Sequence, residues 1–442
     1  MKLTRAMQVL FVFVFCATGL LAQMGEGGTT NRAQTFTTLH SFDYTDGAYT
    51  GAALVQATNG NLYGTTGSGG ANGDGTVFKI TPSGTLTTLY NFCSQKGCTD
   101  SGPNAAGLVQ ATNGNFYGAT LSGGATNSGT VFKITPSGTL TTLYSFCSQS
   151  GCTDGTYPSG GLVQATDGNF YGTTYGGGAG ANNSGTLFKI TPSGTLTTLY
   201  SFCSQSNCTD GSVPNGELIQ ATNGNLYGTT RGAGANNSGT VFKVTPSGTL
   251  TTLYSFCSQY DCSDGTHPYA GLFQATDGNF YGATLYGGDG YYYDGTVFKI
   301  TPTGALTTLH TFCSMQTGCP DGANPQGALV QDTNGTFYGT TSAGGVSPPY
   351  NAYGTVYSLS VGLGPFVETQ PTSGKVGKAV IILGTNLTGT SSVSFHGTPT
   401  TFKVVSGSEI KTAVPAGATT GKVKVGTPHG TLLSNVPFRV LP

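Results

Sequence analysis

The phrase Leu54-Val55-Gln56-Ala57-Thr58 returns, with small changes, from Leu108, Leu162, Leu218, Leu272 and Leu329. The spacings are 54, 54, 56, 54 and 57 residues, so most of this 442-residue chain is one unit written six times. A unit this short cannot bury a hydrophobic face alone and gains a core only by packing on its neighbours. In the unit that starts at Gly161, four strand-like runs follow one another at 162–166, 169–174, 186–191 and 195–202. Asp167-Gly168 separates the first two and Pro192-Ser193-Gly194 the last two. Asp-Gly suits a two-residue hairpin turn with positive φ, and Pro-Ser-Gly a tight turn. With 72 glycines and only 8% charged residues, the chain reads as short strands and turns, not helices. Four antiparallel strands per repeat is the content of one β-propeller blade.

The two ends of the array fit each other. Residues 35–42 (TFTTLHSF) are a fourth-strand sequence with no third strand before it, and 354–361 (GTVYSLSV) a third strand with no fourth after it. Pairing them completes six blades and removes the open edges that template aggregation. The expected fold is therefore all-β: a six-bladed propeller over 35–361, closed by its N- and C-terminal strands. A β-solenoid is the rival, and it would need capping repeats.

The wording GLVQAT-(D/N)-GN-(F/L)-YG-(T/A)-T with GTVFKITPSGTLTTLYSF resembles the bacterial Gloeobacter/Verrucomicrobia (GloVer) tandem repeat, on an NHL-like blade. That resemblance implies export and a variable C-terminal appendage, and it implies no particular chemistry. From Gly364 the repeat and the cysteines stop. Pro371, Gly374, Gly377, Gly384-Thr385-Asn386, Val393-Ser394-Phe395, Val414-Pro415, Gly421, Val425, Gly430 and Phe438 follow the pattern of IPT/TIG domains. This resemblance implies an immunoglobulin-like β-sandwich over 364–442, a spacer or binding module. The alternation in Lys422-Val423-Lys424-Val425 fits half-buried strands independently.

Lys2, Arg5, an apolar run from Val9 to Phe15 and small residues up to Ala22 form the pattern of a secretory signal over 1–22. The run is shorter than the roughly 20 residues a spanning helix needs, so no transmembrane segment is expected after cleavage. The expected location is extracellular or cell-surface, with the periplasm left open. Ten cysteines fall into Cys93/Cys98, Cys147/Cys152, Cys203/Cys208, Cys257/Cys262 and Cys313/Cys319. Paired cysteines in an exported chain read as disulfides, and the first repeat lacks both members together, as a unit would. Each small loop closure should contribute ~2 kcal/mol on the chain-entropy model. Zinc is the competing reading, but two thiols per repeat fall short of four ligands. The net charge of −1 excludes electrostatic binding to nucleic acid or anionic membranes.

Strand order collects the second-to-third-strand loops and the repeat-to-repeat loops on one face, where rigid scaffolds present binding residues. Asp46, Asp100, Asp154, Asp210, Asp264 and Asp321 recur there. They read either as a carboxylate ring for Ca²⁺ or, more simply, as turn residues bonding nearby backbone. Gln56, Gln110, Gln164, Gln220, Gln274 and Gln331 read as satisfying backbone between blades. Tyr63, Tyr117, Tyr171, Tyr227, Tyr281 and Tyr338 read as inter-blade packing. A site needs unlike residues, so departures from the repeat are the better guide. Tyr260, His267, Tyr269, Tyr286, Asp289, Tyr291, Tyr292, Tyr293, Asp294, Tyr350 and Tyr353 form such a patch, suited to sugar stacking or a protein partner. No catalytic set is readable; Glu217, the lone glutamate of the blades, is the residue to test for catalysis. The expectation is a monomeric, non-enzymatic binding or scaffold protein for a glycan or protein, without a cofactor. The alternatives are a propeller hydrolase or lactonase-like enzyme, with or without a metal, and a purely structural or adhesive protein.

Overall fold

The computed structural model describes residues 39–441, apart from 51–53, 58, 60, 103–106, 290–293, 315–318 and 346–353. The signal segment 1–22 and residues 35–38 thus lie outside the described residues. The chain is all-β. Six successive antiparallel sheets share one plan, the sixth without its fourth strand among the described residues. In the third repeat the strands are Val163–Gln164, Phe170–Gly176, Thr186–Ile190 and Leu196–Ser201. The three longer runs match the expectation, while the first shrinks to two residues. A further strand, Thr156–Pro158, precedes it and pairs with the same Phe170–Gly176 edge. Pro158 offers no N–H to continue that ladder, and the chain steps away through Gly160-Gly161 before returning.

The sheets hold each other through the positions that recur. Tyr117 stacks on Phe170 at 4.1 Å between ring centroids, Tyr227 on Phe280 at 4.1 Å and Tyr281 on Phe337 at 4.4 Å. Each inter-sheet layer then adds a second aromatic pair, as in Phe146–Phe188 at 5.1 Å and Phe312–Tyr357 at 5.1 Å. The glutamines cross-link neighbours as well. Gln164 Oε1 accepts from Thr112 N at 3.0 Å, and Gln220 Oε1 from Thr166 N at 2.8 Å. The glutamines and tyrosines of these seams therefore serve the scaffold.

The ends behave differently from the expectation of a closed ring. Residues 39–42 keep the packing of a fourth strand on the first sheet: Phe42 meets Phe78 at 5.2 Å as Phe92 meets Phe132 at 5.6 Å. They form no ladder with Val356–Leu359 among the described residues. Val356 is 79% exposed, whereas its counterparts Val77, Val131, Val241 and Val297 are 0% exposed. Leu54, 50% exposed, and Tyr338, 38% exposed, face the same seam. The remaining partner residues of that edge, 35–38, are outside the described set.

The C-terminal segment forms two further four-stranded sheets. One contains Val367–Gln370, Ala379–Gly384, Glu409–Ala413 and Phe402–Ser406; the other Thr398–Pro399, Ser392–Phe395, Val423–Thr427 and Gly430–Leu433. Ile382 and Ile410 from one sheet and Phe395, Val423 and Val425 from the other share one buried core.

Candidate functional site

The long loops do gather at one end of the sheets. Gly178 N donates to Cys152 O at 2.9 Å, Gly234 N to Cys208 O at 3.0 Å and Gly288 N to Cys262 O at 3.0 Å. Each second-to-third-strand loop is thus fastened to the repeat-to-repeat loop that precedes it. Those repeat-to-repeat loops are stapled by five disulfides: Cys93–Cys98, Cys147–Cys152, Cys203–Cys208, Cys257–Cys262 and Cys313–Cys319. In the unstapled first repeat, Asp43 instead accepts from Thr45 N at 3.0 Å and Thr45 Oγ1 at 2.6 Å.

The recurrent aspartates are absorbed by this loop structure. Asp154 Oδ2 accepts from Tyr144 Oη at 2.8 Å, Ser148 N at 2.9 Å and Ser148 Oγ at 3.0 Å, and Oδ1 from Gln149 N at 3.3 Å. Asp100, Asp210 and Asp264 repeat the arrangement. Asp46 and Asp321 pair instead with His40 at 2.6 Å and His310 at 3.0 Å. Among the described residues, the groups spaced to hold a metal are Asp74 with Cys93 and Cys98, and Asp294 with Cys313 and Cys319. Their sulfurs are bonded to each other, so they offer no thiolates.

Between neighbouring sheets the loop end opens into recesses. The strand that enters each sheet is tied to the previous one: Val213 N donates to Ser184 O at 2.8 Å, and His267 N to Ser238 O at 2.8 Å. This bond holds Val213 at φ 57° and His267 at φ 55°, a region that β-branched and bulky residues rarely adopt. Between the third and fourth sheets lies a depression of about 560 Å³, lined among others by Tyr175, Asn182, Asn183, Asn207, Val213 and Asn237. Four amides and a 44%-exposed phenol offer both donors and acceptors to a polar ligand.

Between the fourth and fifth sheets the same place carries charge. Along Leu226–Gly232 every second side chain faces the fifth sheet. Tyr227 stacks on Phe280, Thr229 Oγ1 donates to Ala270 O at 3.1 Å, and Arg231 sets its guanidinium 5.7 Å from the Tyr269 ring centroid. The rings of His267 and Tyr286 meet edge-on at 5.8 Å. His267 Nδ1 is sealed from solvent without a hydrogen-bond partner. Burial, aided by the Arg231 charge, holds the imidazole below its ordinary pKa.

The expected patch is thus assembled in part. His267 meets Tyr286, Tyr269 lies under Arg231, and Tyr260 stands 95% exposed on the turn Tyr260–Cys262. Asp289 is exposed, whereas Asp294 turns to the next disulfide, its Oδ2 3.6 Å from Cys319 Sγ, and burial raises its pKa. Tyr291, Tyr292, Tyr293, Tyr350 and Tyr353 lie outside the described residues. Two features escaped the sequence reading: Arg231 and the asparagine-lined depression. Arg231 was detectable as the single charge at a position held elsewhere by Gly67, Leu121, Tyr175, Leu285 and Ser342. Glu217 occupies a place held by Gly107, Gly161 and Gly271 in sister repeats. Its carboxylate reaches solvent but rests against Gly161, and the surrounding protein desolvates it and raises its pKa.

A stapled all-β repeat array with a loop-end recess between sheets defines a class of scaffold, and the sequence places it. The chain belongs to the Gloeobacter/Verrucomicrobia repeat family, whose model matches residues 27–178, 150–357 and 203–398. An IPT/TIG domain follows at 366–440. No curated protein matches the chain. Among solved structures, a gluconolactonase from Xanthomonas campestris is 16% identical over 65% of this chain and 79% of its own, with a TM-score of 0.31. An auxiliary nutrient binding protein from Bacteroides thetaiotaomicron is 13% identical over 66% of each chain, with a TM-score of 0.39. Likeness at this level carries no argument about activity. No helix among the described residues is long and apolar enough to cross a membrane.

Proposed function

We propose that this chain is an exported, non-enzymatic binding protein whose loop face takes a glycan, carried on an immunoglobulin-like C-terminal spacer. The depression between the third and fourth sheets carries the reading. Asparagine amides bond sugar hydroxyls in either sense, and Tyr175 offers a ring face for stacking. The binding residues sit on loops stapled to rigid sheets, which limits the ordering cost of binding. Paired cysteines and the 1–22 leader pattern support export. Glycan-array screening followed by calorimetry tests it: Tyr175→Ala and Asn237→Ala should each weaken the best neutral ligand roughly tenfold. A protein that captures no glycan, yet pulls down one specific polypeptide, would replace this reading with a protein partner.

The same proposal holds that the six sheets close into a propeller, with 35–42 as the last strand of the sixth sheet. The exposed Val356, Tyr338 and Leu54 support it, because the five sister seams bury the first two positions and four of them bury the third. The register Val77↔Tyr90 transferred to the seam sets Val356 opposite His40. Val356→Cys with His40→Cys should therefore form a sixth disulfide, seen as a cross-linked peptide by mass spectrometry. Recovery of both thiols free after oxidation would count against closure.

A further inference from the structure

We infer that the gap between the fourth and fifth sheets is the acid-recognising part of this loop face, where Arg231 holds the carboxylate of a uronic-acid-containing oligosaccharide. The inference rests on the glycan reading above and adds the ligand's charge. Arg231 is half-buried and makes no ion pair among the described residues. A partly desolvated cation without a counter-ion is costly, and the Tyr269 ring face offsets only part of that cost. Glu217 and Asp264 do not serve it. Glu217 turns its carboxylate toward Gly161 of the third sheet, and Asp264 places its oxygens on Tyr254, Ser258 and Gln259.

His267 adds a donor. A buried N–H without an acceptor costs more than a buried lone pair, so the sealed Nδ1 is the unprotonated nitrogen and Nε2 carries the hydrogen. The gap therefore offers a planar guanidinium fork and an imidazole N–H beside the rings of Tyr269 and Tyr286. A fork of parallel N–H groups matches the two oxygens of a carboxylate, and the 46%-exposed Tyr286 ring offers a face to the flat side of a pyranose. This gap and the neutral depression share a loop of the fourth sheet. Asn237 lines that depression, and its neighbour Ser238 accepts the backbone N–H of His267. A neutral sugar in the depression and a uronate beside Arg231 would be adjacent residues of one chain.

The test compares three probes by calorimetry at low salt: an oligogalacturonate, the same oligomer with its carboxyls reduced to alcohols, and a sulfated neutral oligosaccharide. Intact protein, Arg231→Gln, Arg231→Lys and Tyr175→Ala are each titrated. Position 231 is Gly, Leu, Tyr or Ser in sister repeats, so these variants should keep the melting temperature. We expect the oligogalacturonate to bind intact protein at least tenfold more tightly than Arg231→Gln, with Arg231→Lys between them. Carboxyl reduction should cost intact protein the same factor and leave Arg231→Gln unaffected. Equal binding of the acidic and reduced oligomers, or equal binding by intact protein and Arg231→Gln, overturns the acidic assignment while leaving the glycan reading standing. Arg231-dependent binding of the sulfated probe alone overturns the carboxylate. Failure of every oligosaccharide, with no effect of Tyr175→Ala, overturns both readings together.

Discussion

Phe188→Ala is expected to destabilise the repeat array by about 3–5 kcal/mol, the usual cost of emptying a fully buried aromatic site. Phe188 is 0% exposed and packs with Phe146, Leu162, Phe170 and Ile190 in the seam between the second and third sheets. Its ring also lies over Gly172, the residue opposite it in the neighbouring strand. A Cβ on Gly172 would stand 2.7 Å from the ring edge, closer than real contacts allow. The same glycine and ring recur as Gly64 under Phe78, Gly118 under Phe132 and Gly228 under Phe242. Gly172→Ala alone should therefore cost about 1–3 kcal/mol through overpacking. In the Phe188→Ala background the added methyl enters vacated space, so the two costs should fall short of their sum by at least 1 kcal/mol. Urea unfolding of the two single variants and the double variant measures this. Strict additivity would show that the ring does not rest on the glycine.

This pairing explains how much of the fold was legible. Asp-Gly and Pro-Ser-Gly are local signals, and they placed the strands Phe170–Gly176, Thr186–Ile190 and Leu196–Ser201 to within a few residues. Repetition located the seams, because tyrosine and glutamine recur where one sheet meets the next. The short strand Thr156–Pro158 was not legible. Its pairing depends on a bond from Tyr157 N to Ser128 O, on another sheet, which no local pattern announces. Residue type argued against it too, since Tyr157 adopts φ 57° there.

The site was legible to the extent that it departs from the repeat. Tyr269 and His267 stand out as sequence, and the fold sets His267 against Tyr286 and Tyr269 against Arg231. Arg231 lies 38 residues before Tyr269 in the chain and becomes its neighbour only because Leu226–Gly232 alternates its side chains toward the fifth sheet. Asp294 shows the opposite limit. It is adjacent in sequence to the tyrosine cluster, yet its carboxylate serves the disulfide loop of the following repeat. Sequence proximity marks a loop as unusual, and strand pairing decides which of its residues share a recess.

Asp100 tests whether the repeated carboxylates are structural. Its Oδ2 accepts from Tyr90 Oη at 2.6 Å, Ser94 N at 3.0 Å and Ser94 Oγ at 3.1 Å, and its Oδ1 from Gln95 N at 2.9 Å. Asp100→Ala leaves two backbone donors and two hydroxyls without their acceptor in a loop already closed by Cys93–Cys98. At about 1.5–3 kcal/mol per hydrogen bond to a charged group, offset by water reaching some donors, a loss of about 3–5 kcal/mol is expected. Burial alone would raise the Asp100 pKa, but the Tyr90 hydroxyl and the Gln95 and Ser94 amides together outweigh it and lower it. A carboxyl lowered in the folded state stabilises fully above its unfolded value near 3.9, and that stability fades as pH falls through the depressed folded value. Thermal melts from pH 7 down to pH 2 should therefore show the intact protein and Asp100→Ala separated at neutral pH and converging in acid. Asp100→Asn, which retains one acceptor oxygen, should fall between them at pH 7 and lose the pH dependence. Equal melting temperatures at pH 7, with added Ca²⁺ stabilising only the intact protein, would return these carboxylates to an ion-binding role.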